Sequence, residues 1–391
     1  MCFLLHAVGG AFRHRPEEMN EGLSDAARRL LDSAYARLDG PKLFDYHTHV
    51  VGTGANGTGN FVNPKMHSWR HPLRRLKLSL YLSASGVPTL ERADQEYVER
   101  LVALARGFEV GGRHGLLAFD KHYRADGSVN LEKTEFYVPN EYVFSLAAEF
   151  PDKFAPVASV NPYRPGALEE LRLCASRGAR VVKWLPNAMG IDPSDECCDA
   201  FYQTMKELGL VLLSHGGEEK AVEAEEDQRL GNPLRLRRAL EHGVRVVVAH
   251  CAGLGEGEDL ESPGRERRPN FDLFLRLMRE PRYEGLLYAD ISAMTQYNRA
   301  GTPLRTILER EDLHPRLVNG SDYPLPAFNA LVQTRGLVRR GYITRDERRA
   351  LNEIYDYNPL LFDFALKRTL KAPGTDRRLP DSIFTARPEL N

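Results

Sequence analysis

Short runs of apolar residues alternate with longer amphipathic stretches along most of the chain. Eight of the runs have strand length, and three of them (at 179–183, 211–213 and 246–249) are nearly unbroken, which is typical of parallel strands buried on both faces. Between and after them, apolar residues recur at helical spacing. The predicted strands cover 43–50, 115–120, 154–160, 179–185, 210–216, 244–251, 286–293 and 316–322. The predicted helices cover 22–38, 91–106, 140–149, 165–177, 194–208, 232–242, 270–279, 302–310, 327–340 and 344–369.

Eight strands that alternate with helices predict an α/β fold of the (β/α)8 barrel type, the TIM barrel, rather than an open sheet. We expect an N-terminal helical extension at 1–41, the barrel at 42–370 and a C-terminal tail at 371–391. Ser24 is the expected N-cap of the first helix. The chain beyond the last strand is expected to stay helical up to residue 369.

Two connections are too long for simple barrel loops, at 51–90 after the first strand and at 253–270 after the sixth. Because both follow strands, both are expected on the carboxyl face of the barrel, where long loops form lids or substrate walls. The first becomes amphipathic at Leu73–Leu82. The second is charged and rich in glycine, so a disordered surface insertion is the alternative for it.

Composition narrows the classes of function. The 391 residues carry 53 basic and 54 acidic side chains, a net charge of -1, which argues against nucleic acid as a partner. No apolar run is long enough to span a bilayer. The first residues lack a positive region and soon meet Arg13-His14-Arg15, which argues against a signal peptide. We therefore expect a small-molecule substrate and no membrane partner, and leave a homo-oligomer open.

Cysteine usage indicates a reducing compartment. The five cysteines are few, odd in number and irregularly spaced, and they match no zinc knuckle. We expect reduced thiols in a cytoplasmic protein. The cysteines are Cys2, Cys174, Cys197, Cys198 and Cys251.

Ionisable side chains collect at the carboxyl ends of the predicted strands. A single one could be a core histidine with a hydrogen-bond partner, but a whole set is costly to bury unless it coordinates or pairs with something. The set is His47, His49, Asp120, Lys183, His215, His250, Asp290, Ser292 and Asp322. Residues two apart on a strand point to the same side, so His47 and His49 can face one ion while Thr48 faces away.

The residue types suit a catalytic metal. Neutral imidazoles and a carboxylate bind Zn²⁺ or a similar divalent ion, such as Mn²⁺ or Fe²⁺, and three or four ligands leave a position for water. Asp322 can bind the metal and take a proton from that water. His250 can orient the hydroxide or donate to a substrate carbonyl. This combination predicts attack on a polarised carbonyl or phosphoryl group.

Several motifs together resemble the amidohydrolase superfamily. More narrowly, they are similar to its amidohydrolase-related branch, which includes the aminocarboxymuconate-semialdehyde decarboxylase-like proteins. The likeness spans residues 43–365. The motifs are Asp45-Tyr46-His47-Thr48-His49, Lys183 after two valines, Leu213-Ser214-His215-Gly216, Val248-Ala249-His250-Cys251, Gly190-Ile191-Asp192-Pro193, Asn319-Gly320-Ser321-Asp322-Tyr323-Pro324 and Asn358-Pro359-Leu360-Leu361-Phe362.

The resemblance implies a ligand set and leaves one choice open. It implies a metal held by His47, His49, His215 and Asp322, with His250 as a ligand to a second metal or an acid–base group. In binuclear members a lysine at the position of Lys183 is carbamylated and bridges two ions. The alternative is an ordinary lysine that forms a salt bridge or binds a substrate carboxylate. One or two ions are therefore both open.

The sequence predicts a metal-dependent hydrolase that acts on a C–N or C–O bond of an amide, lactone or ester. A non-oxidative decarboxylase or lyase on the same site is the alternative within enzymes, and a non-catalytic barrel stabilised by metal is the alternative outside them. Four further residues follow strand ends and are expected to bind substrate, namely Trp184, Lys121, His122 and Tyr323. Cys251 is expected to be a packed residue rather than a nucleophile.

Overall fold

A computed structural model of the chain describes residues 14–87 and 89–390. Cys2 and most of the N-terminal segment in which no signal peptide is predicted lie outside the described residues. Its centre is a set of parallel strands, β1 to β8, that follow one another around a ring. The strands are β1 Phe44–His49, β2 Arg113–Leu117, β3 Phe154–Val157, β4 Val181–Trp184, β5 Val211–His215, β6 Arg245–Ala249, β7 Leu287–Asp290 and β8 Leu317–Val318.

The ring is continuous in chain order. Strands β1 to β3 form one parallel sheet and β4 to β8 another. Backbone hydrogen bonds join the two sheets at both seams: the Lys183 amide donates to the Ala158 carbonyl at 2.7 Å, and the Asp322 amide donates to the His47 carbonyl at 2.7 Å. The predicted α/β barrel is therefore confirmed.

Helices surround the strands at most of the predicted places. Among the described residues, none of them has both the length and the apolar character needed to cross a bilayer. The α-helices of five residues or more are α1 Asp25–Tyr35, α2 Pro72–Ala84, α3 Ala93–Arg106, α4 Asn140–Glu149, α5 Ala167–Ser176, α6 Asp199–Glu207, α7 Arg237–Glu241, α8 Asn270–Met278, α9 Thr302–Glu309, α10 Thr334–Arg339, α11 Arg345–Tyr357 and α12 Pro359–Thr369.

The range 344–369 is helical as predicted, but it consists of two helices that meet at Asn358. This residue is extended, with φ −146°, and its side chain accepts a hydrogen bond from the Leu361 amide at 2.9 Å. Pro359 occupies the first position of α12, where its missing N–H costs nothing. The predicted helix 327–340 is likewise shorter, since only α10 is helical in that range.

Both long connections have structure of their own. The amphipathic part of the first forms α2. The second forms an antiparallel hairpin of Glu256–Glu258 with Arg267–Pro269, so the alternative of a disordered insertion is wrong there. Cross-strand backbone pairing satisfies the polar groups of a segment whose glycines and charges gave no strand pattern.

The first and last helical segments of the described chain pack on the barrel. Helix α1 begins at the predicted cap, where Ser24 Oγ accepts a hydrogen bond from the Ala27 amide. At the amino end of the strands, the tail covers the barrel: the Arg387 guanidinium lies 3.9 Å from the Phe44 ring centroid, and Arg245 donates to the Pro388 carbonyl at 2.7 Å. The open end is therefore the carboxyl end.

Side chains inside the barrel are apolar near the amino end. This apolar layer draws on seven of the eight strands and forms the floor beneath the polar residues. It consists of Phe44, Tyr46, Leu117, Val157, Val181, Val211, Leu213, Val247, Ala249 and Val318.

Candidate metal centre

Strand β1 delivers His47 and His49 to the open end of the barrel. The register of β1 against β2 shifts between Asp45 and Thr48. Strict alternation would send Tyr46 and His47 to opposite sides, whereas an irregularity re-aims the residues that follow it. Tyr46 thus belongs to the apolar layer, while both histidines line the pocket above it.

Asp322 meets the two histidines from the loop after β8. Its Oδ1 lies 3.4 Å from His47 Nε2 and 3.3 Å from His49 Nε2. Ligand atoms about 2.1 Å from one ion at tetrahedral angles lie about 3.4 Å apart. The spacing of these three atoms therefore suits one shared ion, and Gly320 permits the approach, because a Cβ there would lie 2.9 Å from that of His47.

Asp290 fixes the orientation of His47. Its Oδ2 lies 2.8 Å from His47 Nδ1, so the N–H of that ring is directed to the carboxylate and the Nε2 lone pair faces Asp322. Burial would raise the pKa of Asp290, but His47 and His250 outweigh it and hold the pKa well below its usual range. His47, His250 and Asp290 also lie close enough together to hold an ion. Because His47 Nδ1 is already hydrogen-bonded to Asp290, we interpret these three residues as a network that supports the metal ligands rather than as a second ion site.

His250 follows β6 in the left-handed region, with φ 56°. This conformation turns its ring back into the barrel although Ala249 already faces inward. Its Nδ1 lies 2.7 Å from Ser292 Oγ, and the Ser292 hydroxyl donates to Asp290. The serine oxygen thus accepts from the His250 N–H, which leaves Nε2 unprotonated, 3.9 Å from Asp322 Oδ2.

His215 ends β5 with one ring nitrogen free. Its Nδ1 lies 3.4 Å from Glu219 Oε2, while its buried Nε2 has no hydrogen-bond partner. Burial, with Lys183 and Arg299 nearby, lowers the pKa of His215 well below 6.5. A neutral imidazole with an unshared electron pair in a buried cluster is the form that binds a metal.

Lys183 occupies the inward position at the end of β4. Its Nζ is buried without a hydrogen-bond partner, and burial lowers its pKa to about 8. Burial would raise the pKa of Asp322, but His47 and His49 lower it to about 2, so this carboxylate is ionised. His215 and Asp322 therefore have the protonation states that ligands of a first-row divalent ion require.

A pocket of about 500 Å³ opens above these residues. Six predicted site residues, His47, His49, Lys183, His215, His250 and Asp322, line it together. Its other polar members include Glu219 and Arg299. The walls are mostly apolar and come from Val50, Val51, Leu73, Leu76, Leu80, Tyr81, Phe119, Phe136, Val138, Leu185, Val222, Leu254, Tyr297, Leu325, Phe328 and Leu331.

Two of the residues predicted to bind substrate lie in the core instead. Trp184 is fully buried, and its indole N–H donates to the Val160 carbonyl at 2.8 Å. It follows Lys183 on one strand and must point the other way. Tyr323 is also buried, with its ring edge toward Tyr97 at a centroid distance of 6.1 Å. The structure does not bring either side chain to the pocket wall.

The other two lie in the loop after β2. Lys121 Nζ lies 4.4 Å from the Tyr137 ring centroid. His122 is buried, with Nε2 3.9 Å from Asp227 Oδ2. Gly190 leaves room for the His122 ring, since a Cβ there would lie 2.5 Å from Nε2. Neither side chain is among the residues that line the pocket.

Arg299 is the pocket residue that the strand-end pattern missed. It lies nine positions after Asp290, the last residue of β7, so a search limited to strand ends does not reach it. The loop that contains α2 was predicted as a lid or substrate wall, and Leu73, Leu76 and Leu80 of α2 do line the pocket. The individual wall residues were not predicted, because an amphipathic pattern does not tell which partner its apolar face covers. The sequence did carry one signal for this wall, because the connection after β1 is too long for a simple barrel loop.

Comparison with known proteins gives one match by family. A family model described as Amidohydrolase matches residues 44–353, most of the chain. No curated protein is similar enough in sequence to count as a match.

Solved structures with a similar fold are distant in sequence. An uncharacterized TIM-barrel protein from Bordetella bronchiseptica is 17% identical, with a TM-score of 0.48; the match covers 80% of this chain and 94% of that chain. A 4-oxalomesaconate hydratase from Rhodopseudomonas palustris is 16% identical, with a TM-score of 0.41 and coverages of 78% and 92%. A 5-carboxyvanillate decarboxylase from Novosphingobium aromaticivorans, with bound manganese, is 13% identical, with a TM-score of 0.44 and coverages of 81% and 94%. Given the extent of the family match, the chain belongs to the amidohydrolase family.

Proposed function

We propose that the protein is a metal-dependent hydrolase that cleaves a C–N or C–O bond of a small molecule, such as an amide, lactone or ester. The family is one of metal-dependent enzymes. The observation that carries the proposal is the convergence of His47, His49 and Asp322 at 3.3–3.4 Å beneath an open pocket, with the unpartnered Nε2 of His215 beside them.

The residues fit a divalent ion, with His47, His49, His215 and Asp322 as its ligands. When bound, a Zn²⁺, Mn²⁺ or Fe²⁺ ion polarises a carbonyl and lowers the pKa of water to about 7. Lys183 is the candidate bridge to a second ion, since its Nζ is buried without a partner. Zinc is our first choice of metal, and we propose a cytoplasmic location as the cysteine usage predicted.

We assign to Asp322 the role of accepting the proton of an attacking water. One oxygen, Oδ1, is shared by the two histidines of β1, whereas Oδ2 faces His250 Nε2 at 3.9 Å. A proton accepted at Oδ2 therefore lies close to an unprotonated imidazole nitrogen. We assign His250 as proton acceptor or ligand rather than donor to the substrate carbonyl, because its N–H is directed to Ser292.

The test is turnover of esters, lactones and amides by zinc-, manganese- and iron-loaded protein in ¹⁸O-water. Hydrolysis puts one label into the product acid. Asp322→Asn and His250→Asn are expected to lower kcat by about 10²- to 10⁴-fold, the usual loss on removing an acid–base group. Unchanged turnover in metal-loaded Asp322→Asn would mean that the metal is structural, and a wild-type protein that turns over none of the substrates would favour a barrel that only binds.

Decarboxylation on the same site is the second candidate. The observation that favours it is Arg299, a buried cation in the pocket lining that can hold a substrate carboxylate. It predicts release of CO₂ from carboxylated substrates without ¹⁸O in the organic product. Arg299→Gln should then remove turnover, whereas a hydrolase acting on neutral esters should retain it.

A further inference from the structure

Arg299 carries an unusual buried charge. The residue is 6% exposed; its Nη1 donates to Gln296 Oε1 at 3.0 Å, and its Nε has no partner. Within residues 14–87 and 89–390, no carboxylate forms an ion pair with it. Asp322 and Glu219 interact electrostatically with its charge, but from beyond ion-pair distance. Arginine is rarely buried unless it is paired. The pocket thus contains a guanidinium that forms no ion pair with the described residues and can bind an anion.

The charge around the site favours the same conclusion. Lys183 and Arg299 face three buried carboxylates in or beside the pocket, those of Asp290, Glu219 and Asp322. The cluster is one charge negative as it stands. A divalent ion makes it one charge positive, so the loaded site has room for one anionic group.

Part of the pocket lining is apolar and open to water. Helix α2 contributes Leu73, which is 81% exposed, and Leu76, which is 47% exposed, and both line the pocket. Tyr297, 53% exposed, lies in the lining as well, and Trp69, 81% exposed, precedes the helix. Large apolar side chains grouped at a pocket entrance usually mark a surface that a ligand covers.

We propose that the substrate is an amphiphilic acid, a molecule with one carboxylate and an extended apolar group. The carboxylate binds Arg299, and the apolar group runs between the pocket walls to Leu73 and Leu76. The bond to be cleaved then lies between them, above the metal ligands. This inference rests on the proposed function for its reactive centre and names the substrate class of that centre.

Binding of unreactive acids tests the inference without turnover. The probes are phenylacetate, 4-phenylbutyrate and 6-phenylhexanoate with their matched phenylalkanols, titrated by calorimetry into metal-free and zinc-loaded protein. The affinity of the acids is expected to rise about fourfold per added methylene, as for full burial of that group. The acids are expected to bind at least tenfold more tightly than the alcohols in the zinc-loaded protein, and the preference should be smaller in the metal-free protein, where the cluster is one charge negative.

Variants separate the two ends. Arg299→Gln should abolish the preference for acid over alcohol and keep the dependence on chain length, and Arg299→Lys should keep part of the preference. Leu73→Ser and Leu76→Ser, at exposed positions that the fold does not need, should flatten the dependence on chain length. Leu173→Ser, on α5 at a 52% exposed position, is the matched control and should change neither.

Three results would overturn the inference: affinity independent of chain length, an unchanged acid preference in Arg299→Gln, or leucine variants that alter only the oligomeric state. The two proposals fail in different ways. Tight, length-dependent binding of acids with no hydrolysis of any ester or amide would leave this inference standing and remove the hydrolase. Hydrolysis of short polar esters with no gain from the apolar group would do the reverse.

Discussion

Replacing Asp45 is expected to lower both the stability of the protein and its affinity for metal. This buried carboxylate joins the two ends of the ligand set, because its Oδ1 accepts the amides of His47 and Ser321, each at 2.9 Å. Its Oδ2 lies 3.3 Å from His114 Nδ1. Burial would raise the pKa of Asp45, but His114 and these donors hold it well below its usual range.

Asp45→Ala leaves two buried N–H groups without an acceptor. Each costs about 1–3 kcal/mol, so the free energy of unfolding should fall by about 2–6 kcal/mol. Losing such a support typically weakens metal binding about 10- to 100-fold. Asp45→Asn keeps an acceptor oxygen for both amides and loses only the charge facing His114, so both effects should be smaller.

Urea unfolding of the metal-free protein gives the stability, and competition with a chromophoric chelator gives the metal affinity. Asp259→Ala is the control, because this buried carboxylate accepts from Arg276 at 2.7 and 2.8 Å and is absent from the residues that line the pocket. It should cost stability and leave metal affinity unchanged. If Asp45→Ala also kept the wild-type affinity, Asp45 would have no positioning role.

Three further outcomes are expected. In metal-free protein at pH 7, Lys183→Met should raise the free energy of unfolding by about 3 kcal/mol, because burial lowers the lysine pKa from 10.5 to about 8 and each unit is worth about 1.4 kcal/mol. This gain in stability should shrink between pH 8 and 10.5, where only the unfolded wild-type lysine still holds its proton. A gain that does not depend on pH would contradict the prediction. Deleting residues 382–391 should uncover Phe44 and lower the melting temperature without changing zinc affinity, and a lower affinity would mean that the tail supports the site directly. Gly320→Ala should weaken zinc binding, since its Cβ would lie 2.9 Å from that of His47, and a wild-type zinc titration would show that the loop relaxes freely.

The sequence was most informative where a period repeats. Alternation within β1 predicted that His47 and His49 face the same side, the ends of the predicted strands identified Lys183 and His215, and the helical period located most helices. The same alternation points Trp184 away from Lys183 and into the core. The prediction that Trp184 binds substrate did not take this alternation into account.

Features that depend on local backbone conformation or on distant partners were not readable. The register shift in β1 and the positive φ of His250 are needed to aim these histidines, yet neither follows from residue type. Asn358 and Pro359 did carry a signal, a cap followed by proline, that should have divided the last predicted helix. Arg299 belongs to the pocket only through the folding of a loop.

The metal content of the purified protein is the most direct measurement. Elemental analysis after loading with zinc, manganese or iron and removal of free ion should find at least one ion per chain. Two would support a bridge at Lys183 and one a mononuclear site. Asp322→Ala combined with His215→Ala should retain little or none. Wild-type protein that keeps no ion, or a double variant that keeps the full amount, would contradict a metal centre at these strand ends.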